Sequence, residues 1–162
     1  MDQPSKILII GGLLLTLWGT SYGLYYALFD EHQTLERMGV SLSTGFARAA
    51  EKQMGPAQAA LNDYAAAKFE YDREVDVHSH WSGLAVLLVL LGLAFDQVRF
   101  SEKARLVLAS LLVAGAFAFP LGVILQTFSR GLFPQGIAVA GSGLLIVALA
   151  AVAVGFAVLD RD

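Results

Sequence analysis

The chain has 162 residues, 56% of them hydrophobic and 15% charged, with a formal net charge of −3 and no cysteine. Its mean hydropathy of +0.61 lies well above that of a soluble domain and points to a lipid bilayer. The lack of cysteine excludes disulfides, iron–sulfur clusters, thiolate zinc sites and covalent c-type haem. No basic cluster or basic-aromatic stripe suggests nucleic acid.

Taken in chain order, residues 7–29 form an uncharged apolar run, longer than the about 20 residues that cross about 30 Å of hydrocarbon. It reads as a retained anchor, because residues 1–6 carry a single base and no small-x-small cleavage site follows Tyr25. Residues 30–77 are polar and predicted to be helical. Within them Phe46, Ala49, Ala50 and Met54 fall at helical spacing, with Ser43 or Thr44 as a cap. Gly55-Pro56 reads as a break in which Pro56 opens the next helix, and the alanine-rich stretch 57–68 favours helix. The expectation is a helical hairpin capping the bundle, with a solvated helical spacer as the plainer alternative. A second span takes residues 79–98, a third 106–128 and a fourth 137–159. The predicted fold is an all-α integral membrane protein: a four-transmembrane-helix bundle in one domain over residues 1–162, with the hairpin between spans one and two.

Small residues predict close helix packing. Gly19 and Gly23 make a GxxxG pattern that could also join two copies, and Gly136, Ala140, Gly141 and Gly143 line the start of span four. Pro120 and Gly122 predict a kink in span three. Lys6, Arg99, Lys103 and Arg105 place the N-terminal tail and the loop after span two in the cytoplasm by the positive-inside rule. Residues 160–162 then return to the cytoplasm, while residues 30–77 and the turn bearing Arg130 lie outside the inner membrane.

All three histidines flank the first two spans on that outer side. Residues 69–81 read FEYDREVDVHSHW, in which Glu70, Asp72, Glu74, Asp76, His78 and His80 alternate with residues that, Arg73 apart, are uncharged. Period two is the signature of an extended segment, which would aim His78 and His80 at one ion. On a helix, residues two apart diverge by about 200°. Glu70, Glu74 and His78 would then form one row, and Asp72, Asp76 and His80 another. The alanine-rich approach favours helix through about Asp76, with irregularity near the histidines. His32 and Glu36, four apart, share a helical face at the end of span one. Imidazoles and carboxylates at one boundary are familiar ligands for copper, zinc or iron. A b-type haem held by His32 and either His78 or His80 needs only one ligand from each helix. The candidate cofactor ligands are therefore His32, His78 and His80, with Asp76, Glu74 and Glu36 as further metal ligands.

Histidines and acids are also ordinary at span ends, and Trp81, Tyr25, Tyr26 and Phe128 fit an interfacial aromatic belt. Ser79 lacks a nucleophile elbow, and Gly141-Ser142-Gly143 lacks the lysine of a phosphate loop. The span cores contain hydroxyls and an amide (Thr16, Thr20, Ser21, Ser110, Gln126, Ser142) but no ionisable group, which argues against a single-copy pump or channel.

The stretch beginning His78-Ser79-His80-Trp81-Ser82-Gly83 resembles the His-x-His span openings of small four-helix bacterial membrane families. More distantly it is similar to the haem-copper oxidase and nitric-oxide-reductase-like superfamily. Residues 12–26, 121–126 and 136–141 resemble the same small families, and the insert 40–72 lies outside the likeness. The resemblance implies haem or copper bound by His78 or His80. Spans three and four offer no histidine, so His32 or a partner subunit would supply the second ligand. The functional expectation is redox chemistry, electron transfer or metal handling at the outer face. The competing class is a cofactor-free accessory subunit or homo-oligomer.

Overall fold

The computed structural model describes residues 1–129 and 131–157. Arg130, the last two positions of the predicted fourth span and the C-terminal charges at 160–162 lie outside them. The described residues contain no strand. They form α1 (Gln3–Tyr25), α2 (Glu31–Ala50), α3 (Met54–Ala94), α4 (Glu102–Phe128) and α5 (Leu132–Ala157). Four helical stretches, Gln3–Phe29, Met54–Gln97, Glu102–Phe128 and Leu132–Ala157, are long and apolar enough to cross a membrane, and the chain is a multi-pass membrane protein.

One π turn, Tyr26–Asp30, joins α1 to α2, so helix runs without a gap from Gln3 to Ala50, about 70 Å at about 1.5 Å per residue. α3, with 41 residues, returns alongside it for about 60 Å. The predicted hairpin is therefore present, but it continues its two spans coaxially and does not fold over them as a cap. α2 packs on the first half of α3 and α1 on the second half, while α4 and α5 pair beside the latter.

The hairpin departs from its predicted details. Ser43 lies inside α2 and its hydroxyl bonds back to the Val40 carbonyl at 2.9 Å, so it caps nothing. The break falls at residues 51–53, where Lys52 adopts φ 61°, and Gly55 and Pro56 are already inside α3. Phe46 and Met54 are exposed. The packed seam uses small residues instead: Gly45 faces Leu61 and Ala57, and Ala57, Ala60 and Ala67 are buried.

Glycine seams fix how the spans approach. A Cβ on Gly12 would come within 2.8 Å of the Ala85 carbonyl, and one on Gly92 within 2.6 Å of the Ile9 side chain. Gly19 faces Trp81 at 3.1 Å and Gly23 faces His78. The GxxxG pair is thus consumed inside the chain and is not free to join a second copy. In the other seam Gly122 and Gly141 meet the backbones of Ala138 and Phe119 directly, and Gly115 faces the Gly141 carbonyl at 2.9 Å. Pro120 lies buried within an unbroken α4. Gly136 and Gly143 have open space instead.

The N-terminal end of the bundle is tied by polar contacts. Asp2 caps α1 through the Ser5 amide at 3.0 Å and pairs with Arg105 of α4 at 2.6 Å. Arg105 also reaches the Phe95 carbonyl at 3.5 Å, and the Arg99 amide donates to the Gly155 carbonyl at 3.3 Å. Hydrogen bonding at Ser5, through its amide, helped by Arg105, holds the Asp2 carboxyl below its usual range. Its stabilising effect is therefore complete at neutral pH and fades only in acid, as the carboxylate takes up a proton.

Two variants test this packing in neutral detergent. Gly19→Ile should lower stability by about 1–3 kcal/mol through overpacking, with unchanged particle mass by light scattering. Asp2→Ala should cost about 1 kcal/mol through the lost cap, read from thermal unfolding.

Candidate functional site

Residues 69–81 are helical throughout, inside an uninterrupted α3. The alternation that suggested an extended segment instead divides two faces of a helix, and no irregularity occurs at the histidines. The departure from α-geometry is in the neighbouring rod, at Tyr26–Asp30. The helix separates Glu70, Glu74 and His78 from Asp72, Asp76 and His80, and the first row is the engaged one. Glu70 pairs with Arg37 of α2 at 2.9 Å, and the Tyr22 hydroxyl donates to Glu74. His78 Nδ1 donates to the Gly19 carbonyl at 3.1 Å. The second row, Asp72, Asp76 and His80, is exposed, as is His78 at the end of the first. Among the described residues the second row makes its hydrogen bonds and ion pairs within α3. Lys68 holds Asp72 at 2.6 Å, Arg73 lies 3.8 Å from Asp76, and His80 Nδ1 meets the Asp76 carbonyl at 2.6 Å.

The two imidazoles accordingly lean on different helices. His78 is seated against Gly19 and Gly23 of α1, whereas the His80 ring meets Phe119 of α4 edge-on at 4.8 Å. His32 and Glu36 are exposed in the first turns of α2. Among the described residues, no three histidine or acidic side chains form a group able to hold a metal ion. His32, Glu36, Glu74, Asp76, His78 and His80 thus do not close on one centre within a single copy.

Trp81 and Tyr26 are not belt residues. Trp81 is 1% exposed, packed edge-on against Trp18 and Tyr22 at 5.9 and 5.2 Å and stacked on Phe117. Tyr26 is 6% exposed. Tyr25 and Phe128 are open, as a belt requires.

The register between helices gives this region its meaning. The N-terminal ends of α1 and α4 and the C-terminal ends of α3 and α5 are level, joined by the Asp2, Arg105 and Gly155 contacts. About 20 residues cross the hydrocarbon, and counting that far from this level reaches Tyr22, Leu125, Gln135 and Asp76. The cross-helix contacts agree: Tyr22 meets Glu74, Gly19 meets His78, and Phe119 meets His80. The polar end of α3 therefore sits beside apolar stretches of α1 and α4, about 10 Å below the ends of those stretches at about 1.5 Å per residue. A second span beginning at residue 79 understates this overlap.

Sequence reasoning also missed a cavity of about 460 Å³ where α1 gives way to α2. Tyr22, Tyr25, Tyr26, Asp30, Glu74 and Phe128 are among its walls. The only signal for it was the density of tyrosines before Asp30. The chain matches no protein-family model, no curated protein and no solved structure.

The histidines should differ in weight. His78→Ala removes a hydrogen bond and the ring packed on Gly23, and should lower stability by about 1–2 kcal/mol. His32→Ala, on an open surface, should stay within about 0.5 kcal/mol of the parent. Denaturation of the purified variants followed by tryptophan fluorescence reads both.

Proposed function

We propose that the protein is an accessory subunit of a larger membrane assembly, held there by the polar end of α3. The observation that supports this reading is the exposed row Asp72, Asp76 and His80, with Ser79 beside it, level with apolar helices. An ionised side chain facing lipid at mid-span costs about 2.5–3.5 kcal/mol, less toward the interface. A partner helix that hydrogen-bonds this row offsets that cost. Ser79, His80, Gly83 and Leu84 line a shallow groove of about 260 Å³, and a side chain at Gly83 would meet no atom of this chain. A transmembrane helix with small residues and hydrogen-bonding groups fits this surface. Lys6, Arg99, Lys103 and Arg105 support an inner-membrane orientation with the N-terminus cytoplasmic and the hairpin outside.

A second reading draws on the imidazole geometry. Carbonyl oxygens accept from Nδ1 of both His78 and His80, which leaves each Nε2 lone pair free, the arrangement found in ligating histidines. Haem b, copper or zinc would then take one histidine from this chain and its remaining ligands from a partner subunit. Such a centre would serve electron transfer or metal handling.

Photo-crosslinking in native membranes tests the docking face. Crosslinkers at Ser79 or Gly83 should capture a protein, whereas one at the exposed Val86 should capture lipid. Lipid adducts alone at all three positions would refute the accessory reading. The cofactor reading requires a Soret band, or bound metal without one, in the assembled complex and its loss in His80→Ala or His78→Ala.

A further inference from the structure

The cavity at the α1–α2 junction lies against the engaged row of α3, away from the groove at Gly83, and its chemistry is different. Among the described residues its acidic groups are Asp30, Glu70 and Glu74, and its single base is Arg37. Arg37 is already committed, bonding Glu70 at 2.9 Å and the buried Thr34 hydroxyl at 3.2 Å. Asp30 and Glu74 are left without a basic partner among the described residues. Glu74 uses one carboxylate oxygen for the Tyr22 hydroxyl, so the other remains available.

Around these two carboxylates stand the rings of Tyr22, Tyr25, Tyr26 and Phe128. The Tyr26 hydroxyl is buried and has no hydrogen-bond partner, although its residue is 94% covered. Aromatic faces attract cations within about 6 Å of the ring centre, and carboxylates in a partly dry wall favour a positive ligand group. Anions are disfavoured here, because the one guanidinium among the described wall residues is neutralised by Glu70. The volume lies within the range of about 300–1,000 Å³ typical of small-molecule sites.

The cavity also has an apolar side toward lipid. Phe128 is 83% exposed, Ile124 lines the wall, and Leu24 and Leu28 of α1 are open at the same level. We propose that this cavity binds the ammonium group of an amphiphile. Asp30, Glu74 and the tyrosine rings hold the head, and the hydrocarbon tail lies along α1 and α4 in the leaflet. A lipid headgroup and a free long-chain amine share this chemistry.

The test uses the full chain in neutral maltoside micelles with tetradecyltrimethylammonium as probe. The two tryptophans report directly, since Trp81 touches Tyr22 and Trp18 touches Trp81. The fluorescence change should saturate with this probe and not with tetradecyl sulfate. Asp30→Asn combined with Glu74→Gln should weaken binding roughly tenfold or more, while Glu51→Gln at the hairpin tip should not. Should the double variant fail to fold, Tyr25→Leu at the exposed mouth should still reduce affinity. Equal responses to the sulfate, a linear response, or undiminished affinity in the folded variants would overturn the proposal. Native mass spectrometry then separates the sources. Retained phosphatidylethanolamine identifies a lipid headgroup, and its absence alongside saturable probe binding identifies a free amine.

Discussion

The glycine seams are the constraint on which the rest of the molecule depends. Where backbones meet at Gly12, Gly19, Gly92, Gly122 and Gly141, sliding one helix along another would drive side chains into backbone. The offset between rods is therefore fixed at the level of single turns. That offset sets the charged end of α3 beside apolar turns of α1 and α4. Without it the histidines and acids would be ordinary residues at a span end.

This separates what could be read from the sequence from what could not. The four spans were legible because a long uncharged run has few other uses, and the helicity of the hairpin followed from its alanines. Offset was not legible, because the composition of one helix says nothing about which turn of its neighbour it meets. The same gap explains Trp81: its place at a span boundary suggested a belt residue, while the register buries it between Trp18, Tyr22 and Phe117. The break in the hairpin was misplaced because Gly55-Pro56 is tolerated in the first turn of α3, and the left-handed residue is Lys52.

The alternating acids and histidines illustrate how one pattern serves two geometries. Read as extended chain, it gathers every ligand on one side. Wound into a helix, it divides them into a row committed to neighbours and a row facing outward. The committed row ties α3 to α2 through Glu70 and to α1 through Glu74 and His78, and Glu70 and Glu74 line the cavity beside it. The outward row gives the bundle a face whose chemistry differs from the hydrocarbon surfaces around it. His78 and His80 thus lean on different helices, although they lie two residues apart.

The π turn at Tyr26–Asp30 gives the long first rod two independent angular settings. Tyr26 and Thr34 are both buried, yet eight steps of ordinary α-helix would rotate the second about 80° away from the first. The widened turn absorbs that excess and lets Thr34 and Arg37 face their neighbours. The azimuth of the stalk is consequently set at this one point and not along the membrane segment. Gain or loss of a single codon there would swing the Arg37 guanidinium off Glu70 while leaving the contact between Gly92 and Ile9 undisturbed. The bulge thus sets the azimuth of the outer stalk separately from the packing of α1 below it.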